Sequence, residues 1–331
     1  MIIHTTAYPR TALIGNPSDG YFGKTIAFTF SNFAVRVMLY ESPELEIVPT
    51  RRDGSVFKGI DALYEDVQLF GYYGGIRLLK SAIKCFYGYC LEHEIELHRR
   101  NFTIRYDTDI PNLVGLAGSS AIITATMRAL LAFYGVTIPK PQLANLIRAV
   151  ENRELGISAG LQDRVAQVYQ GLVYMDFDKA LLDKQGFGRY EPLKPHRLPN
   201  FYIAYRTDLS EGSEVFHNNI RERFERGDKE VIDAMVFWAD LTTQARKALD
   251  AGDWPMLAKL MDANFDKRRE IFTLSEGNLR MVETARSVGA SAKFTGSGGA
   301  IIGTYTDETM FEKLTAAFAT QNICILKPAI V

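Results

Sequence analysis

Pro111-Asn112-Leu113-Val114-Gly115-Leu116-Ala117-Gly118-Ser119-Ser120-Ala121 is a glycine- and serine-rich loop that runs directly into an apolar helical segment, Ile122 to Tyr134. Glycines let a backbone approach an anion closely, and the free N–H groups at a helix start, with the positive dipole end, favour negative charge. Ser119 and Ser120 add hydroxyls, one of which can also reach a magnesium ion. The chain has no G-x-x-x-x-G-K-[ST] run, so a nucleotide held here is held without the P-loop lysine. An ordinary small-residue helix start has the same local composition.

Outward from this loop both element types alternate. Thr11 to Ile14 reads as a strand stopped by the polar turn Gly15-Asn16-Pro17-Ser18-Asp19-Gly20. Thr25 to Tyr40 and Leu45 to Val48 read as further strands. Helical spacing runs from Ile76 to His93, and alternation returns over Ile95 to Tyr106. After the loop come helices at 122–134, 142–155 and 163–169 and a strand at 171–177. Residues 179–199, with five Gly and Pro residues, read as a crossover. Beyond it lie a strand at 201–205, helices at 214–226, 229–250, 255–272 and 276–288, and then strands at 292–295 and 300–305 about a glycine loop. A helix at 308–319 and a strand at 323–327 close the chain. Two α+β domains are expected, 1–185 and 186–331.

The chain has 331 residues, 47% of them hydrophobic, which is enough for a sizeable core. Lys+Arg of 38 against Asp+Glu of 39 leaves a net charge of -1, so no nucleic-acid or membrane partner is expected. Cys85, Cys90 and Cys324 form no C-x-x-C pair, and an odd count argues against a disulfide framework. Met1 to Arg10 lacks the pattern of a signal peptide, so a cytoplasmic protein is expected, monomeric or homodimeric.

Four segments carry the chemistry together: Pro9 to Asp19, the loop 111–121, Glu151 with Asp163, and Lys293-Phe294-Thr295-Gly296-Ser297-Gly298-Gly299-Ala300. Their order and spacing resemble the small-molecule kinases of the galactokinase, homoserine kinase, mevalonate kinase and phosphomevalonate kinase (GHMP) superfamily. Within it the runs 15–19, Tyr72 to Leu79, Gly160 to Tyr169 and 293–300 are similar to plant-type glucuronokinases. The resemblance implies a GHMP-kinase-like fold, with an N-terminal ribosomal-protein-S5-like domain and a C-terminal ferredoxin-like domain. It also implies ATP and a sugar acid as substrates, with Mg2+ as cofactor.

In that reading Gly115, Leu116, Ala117, Gly118, Ser119 and Ser120 hold the phosphates. Ser120 is a metal ligand and Ser119 a phosphate contact, with the two roles exchangeable. Glu151, twelve positions before Asp163, is the second metal ligand, and Glu154 competes for the role; a carboxylate suits a hard cation. Asp163 faces the acceptor hydroxyl as base or orienting group, although an Asp at a helix start is more often a cap. Arg10 keeps Asp163 ionised and offsets charge on the transferred group.

Asp19 corresponds to the sugar-binding aspartate of galactokinase-like members. Asn16-Pro17 replaces their Glu-His pair, which puts a neutral galactose-type substrate in doubt. A hexuronate also requires a cationic partner for its carboxylate. Arg164, Arg77, Lys24 and Arg36 are the candidates, each otherwise an ordinary surface charge. Gly296, Ser297 and Gly298 border the acceptor, unless they form a plain hairpin turn. Aromatic residues in 70–73 and around Phe33 are expected to pack in the core, with the base or sugar as the other use. The expected reaction is phosphorylation of D-glucuronate at its anomeric hydroxyl. The alternatives are a 1-kinase for galacturonate, galactose or a heptose, or a non-catalytic nucleotide- or sugar-binding protein.

Overall fold

The computed structural model describes residues 1–50, 53, 59, 60, 74–206 and 214–331, without the side chains of 214–219. The aromatic residues of 70–73 lie outside the described residues. The chain forms two compact units that interleave in sequence: Met1–Pro9, Phe33–Asn112 and Ala117–Val168 make the first, and Arg10–Asn32, Leu113–Leu116 and Tyr169–Val331 the second. This differs from the single cut expected at 185/186.

Unit 1 is built on a sheet in the order β1 (Ile2–Ala7), β4 (Val35–Ser42), β6 (Asn101–Thr108), β5 (Glu46–Ile47). The neighbours are antiparallel except β5 and β6, which are parallel and joined through helix α1 (Gly75–Glu92). In β4, Val35, Val37 and Leu39 are buried while Arg36 is exposed, the alternation of a half-buried strand. Helix α2 (Gly118–Tyr134) packs on β1, β4 and α1. It buries residues all round, from Ala121 to Phe133, as an interior helix does. Helices α3 (Lys140–Ala149) and α4 (Gln162–Tyr169) complete the unit. Between them Val150–Glu154 widens into a π turn, where the sequence reads as continuous helix to Leu155. Such turns frequently mark functional positions.

Unit 2 holds two sheets. One runs β2 (Arg10–Ile14), β3 (Lys24–Thr29), β7 (Leu172–Asp176), β8 (Arg189–Leu193), and the other β10 (Lys293–Phe294), β11 (Ala300–Tyr305), β9 (Asn200–Tyr205), β12 (Cys324–Leu326). The expected crossover at 179–199 is instead helix α5 (Lys179–Gln185), capped by Asp178 on Leu181 N–H, followed by β8. Pro192 is tolerated because β8 is an edge strand. Pairing of β2 with β3 and of β3 with β7 ties residues of the N-terminal third to this unit.

Helix α6 (Glu214–Glu225) is followed by α7 (Lys229–Ala251), α8 (Trp254–Ile271), α9 (Glu276–Ser287) and α10 (Glu308–Ala319). Asp228, Asp253 and Asp307 each accept a first-turn N–H at a helix start. Trp238 on α7 is fully buried, and its indole donates to the Asn264 carbonyl of α8 at 3.0 Å. Among the described residues no helix is long and apolar enough to cross a membrane.

Candidate active site

The backbone of the glycine-serine loop is unusual before any side chain is considered. Leu113, Gly115 and Ala117 have φ of 56°, 70° and 61°, so alternate residues are left-handed. Alternation of this kind turns successive N–H groups to one side, forming a concave nest. Left-handed Leu and Ala carry strain that Gly does not, a signature that collects at ligand sites. Among the described residues no side chain caps the first turn of α2, which begins directly after Ala117.

In unit 1 this helix start is wired to two acidic residues. Ser119 Oγ donates to Glu151 Oε1 at 2.8 Å. The other oxygen of Glu151 accepts from Arg164 Nη2, and Arg164 Nη1 donates to Asp163 Oδ2 at 3.2 Å and to the Gly160 carbonyl at 3.0 Å. Glu151 and Arg164 are 2% and 4% exposed, whereas Asp163 is only half-buried. The Glu151–Arg164 pair is therefore buried and mutually compensated, and the Asp163 carboxylate lies at its solvent-facing end. Ser120 is fully buried and donates to Gln167 Oε1 at 2.6 Å. Gln167 in turn donates to the carbonyls of Tyr8 and Ala117, one turn along α4 from Asp163.

In unit 2 a second set of buried polar groups fixes the glycine loops. Arg10 Nη1 donates to the Gly115 carbonyl at 2.9 Å and the Thr295 carbonyl at 2.7 Å. Arg268 on α8 donates to the carbonyls of Gly296 and Ser297, Asn16 donates to Gly296 O, and Asn278 accepts from Gly299 N–H. The loops touch so closely that a Cβ at Gly115 would meet Gly298 O at 2.6 Å, and one at Gly296 would meet Gly115 O at 2.6 Å. Asn264 accepts from Gly15 N–H at 2.7 Å and donates to Asn16 O at 3.1 Å, which shapes the turn leading to Asp19. Asp19 itself sits in the short 3₁₀ turn Ser18–Tyr21, half-buried.

Lys293 is 1% exposed and donates to the carbonyls of Ala12 and Phe294, each at 2.7 Å. Burial, then the positive charges of Arg268 and Arg10, push its pKa well below the usual 10.5. Folding thus penalises the ammonium form. The penalty is full below the depressed folded pKa and disappears above the unfolded value, so the native protein gains stability relative to Lys293→Met as pH rises toward 10.5. Urea unfolding of both proteins along a pH series checks this. A difference independent of pH would remove the charge penalty.

Several expected positions change on inspection of the geometry. Ser119, rather than Ser120, meets the Glu151 carboxylate, because the Ser120 hydroxyl points inward to Gln167. Glu154 pairs with exposed Lys84 at 2.6 Å, so Glu151 is the carboxylate that faces the loop. The Arg164 guanidinium is buried against Glu151 and Asp163. Lys24 lies 3.8 Å from Asp176 and Arg36 3.3 Å from Asp109. Arg77 lies in the first turn of α1 in unit 1. Gly296, Ser297 and Gly298 do form a strand connection, but a clamped one. Asn264 and Arg268, the middle pair of Gln167, Asn264, Arg268 and Lys293, escaped the sequence reading, whereas Gln167 and Lys293 entered it only as members of longer runs with no role assigned. The only signal for the middle pair is their i, i+4 spacing on α8.

Residues 77–171 match the family model of the GHMP kinases N terminal domain, and residues 245–322 match that of the GHMP kinases C terminal. The chain belongs to the GHMP kinases. It is 45% identical over 305 residues to glucuronokinase 1 of Arabidopsis thaliana, covering 91% of this chain and 84% of that protein. To probable glucuronokinase 2 of the same plant it is 46% identical over 303 residues, covering 89% and 82%. Among solved structures, Streptococcus pneumoniae phosphomevalonate kinase superposes with a TM-score of 0.76 over 100% of both chains at 14% identity. Lactococcus lactis galactokinase complexed with galactose gives 0.76 over 99% of this chain and 93% of that one, at 16% identity. These two likenesses are of fold alone.

Proposed function

We propose that this chain is an ATP-dependent sugar 1-kinase that transfers the γ-phosphoryl group of ATP to the anomeric hydroxyl of D-glucuronate, giving D-glucuronate 1-phosphate and ADP. The observation that carries this reading is the hydrogen-bonded series Ser119–Glu151–Arg164–Asp163 at the start of the phosphate-loop helix. It sets a hydroxyl and a carboxylate beside the phosphate loop, and a second carboxylate on the opposite flank of one arginine. The glucuronokinase names of the Arabidopsis relatives support the acceptor.

The residues act as follows. Main-chain N–H groups of Gly115 to Ser120 hold the phosphates. As the sugar oxygen attacks the γ-phosphorus and the bond to the bridging oxygen breaks, the hydroxyl proton passes to the Asp163 carboxylate and ADP leaves. Arg164 keeps both carboxylates in place. Arg10 positions the two glycine loops through the Gly115 and Thr295 carbonyls. Asp19, with Gly296, Ser297 and Gly298, takes the sugar.

Ser119 and Glu151 are hard oxygen donors 2.8 Å apart, and among the described residues no group of three metal-binding side chains occurs. That set suits Mg2+, which normally takes one or two protein oxygens together with substrate phosphates. When bound, the ion offsets charge on the phosphates.

The test is ADP release with glucuronate, galacturonate, glucose, galactose and heptoses, with the phosphorylated carbon located by NMR. Glucuronate is expected to turn over fastest and to carry phosphate on C1. Preference for another acceptor moves the assignment within the family, and silence with every sugar favours a binding protein.

A further inference from the structure

Among the described residues, Arg268 is a buried charge without a carboxylate in ion-pair contact. It is 3% exposed, its Nη atoms donate to the Gly296 and Ser297 carbonyls at 2.9 and 3.3 Å, and its Nε has no hydrogen-bond partner among the described residues. No carboxylate among the described residues lies within ion-pair distance of it. The guanidinium carbon instead sits 5.0 Å from the Phe272 ring centroid and 5.2 Å from that of Phe294. Buried cations are ordinarily paired, since removing a charge from water is expensive. Burial lowers its pKa to about 10, while Asp19 and Tyr21 act to raise it. Two further cationic side chains, Lys293 and Arg10, are close enough for all three to interact within unit 2.

The loop that Arg268 holds is the one assigned above to the acceptor, and Asn16 meets the same Gly296 carbonyl. Carbonyl dipoles and ring faces disperse a positive charge but do not cancel it. An anion brought to this loop gains from the remaining field, and a neutral molecule of the same shape does not.

We propose that Arg268 is the specificity-determining residue for an acidic sugar, acting from beneath Gly296-Ser297 to favour an acceptor that carries a carboxylate over its uncharged isostere. This rests on the reading of the chain as a sugar-acid kinase. Arg268 is a positioning residue and does not touch the reacting atoms. Of the four cations expected from sequence, Arg164, Lys24 and Arg36 pair with carboxylates and Arg77 belongs to unit 1, whereas Arg268 shares unit 2 with Asp19 and the glycine loop.

The experiment compares D-glucuronate with D-glucuronamide, its neutral amide, in the full-length native enzyme and in Arg268→Lys and Arg268→Met. The native enzyme is expected to prefer glucuronate by about tenfold or more in kcat/KM, the scale of one charge-assisted contact. Arg268→Met should bring that ratio toward unity and raise KM for glucuronate without moving KM for ATP. Arg268→Lys, which keeps a cation there, should restore much of the ratio. An unchanged ratio in Arg268→Met, or equal losses with both acceptors, overturns the proposal. If Arg268→Met does not fold, the native ratio still decides, because an enzyme that treats acid and amide alike has no such preference to explain. Failure of the native enzyme to release ADP with glucuronate counts against the kinase reading instead.

Discussion

Asp163→Asn lowers kcat by about 10²–10⁴-fold, the usual contribution of a positioned proton acceptor, while ATP binding stays within a few-fold of native. The substitution keeps the shape of the side chain but removes its charge, and with it the ion pair to Arg164, as well as its capacity to take a proton. Arg164 retains its buried partner Glu151, so the local fold is preserved. Single-turnover rates and nucleotide titration on the same preparation separate the two effects. Turnover within tenfold of native would leave Asp163 an orienting group or no participant, and a parallel loss of ATP binding would point to collapse of the phosphate loop.

Glu151→Gln should show two effects of different origin. The first is stability: the variant leaves a guanidinium that is 4% exposed without its buried counter-charge. Breaking such a pair from one side costs about 3–5 kcal/mol, and the lower end applies because Asp163 still faces Arg164. The second is a higher magnesium concentration for half-maximal rate, since the amide is a poorer ligand for a hard cation. A double-mutant cycle tells them apart. Glu151→Gln combined with Arg164→Gln should recover much of the lost stability, because no lone charge is left buried, yet keep the raised metal requirement. If the double variant also recovers native metal dependence, Glu151 acts on Arg164 alone and the metal role is withdrawn. A stability loss below about 1 kcal/mol would mean that water reaches the pair.

Much of the element pattern is legible along the chain because it depends on local chemistry. The period of Val35, Val37 and Leu39, the aspartates before α7, α8 and α10, and the apolar run after Ser120 each act within a few residues. Helix α5 and strand β8 escaped because Gly186, Gly188 and the prolines suggest a loop, and only pairing with β7 makes residues 189–193 a strand. The left-handed residues Leu113 and Ala117 escaped for a related reason. Nothing in a leucine or an alanine announces positive φ, which the contacts of the folded loop impose.

By itself the amino-acid order singled out the segments whose resemblance to the GHMP kinases implies a phosphate-handling site: the loop 111–121, Glu151, Asp163 and the run 293–300. Tertiary structure alone decided how the charges are assigned. It turned Ser119 rather than Ser120 to Glu151 and buried Arg164 between two carboxylates. It also brought Arg268, from a helix with no recognised motif, under the glycine loop. The physical reason is that a side chain's charge is a property of its residue type, whereas its worth depends on burial and on partners that lie far along the chain.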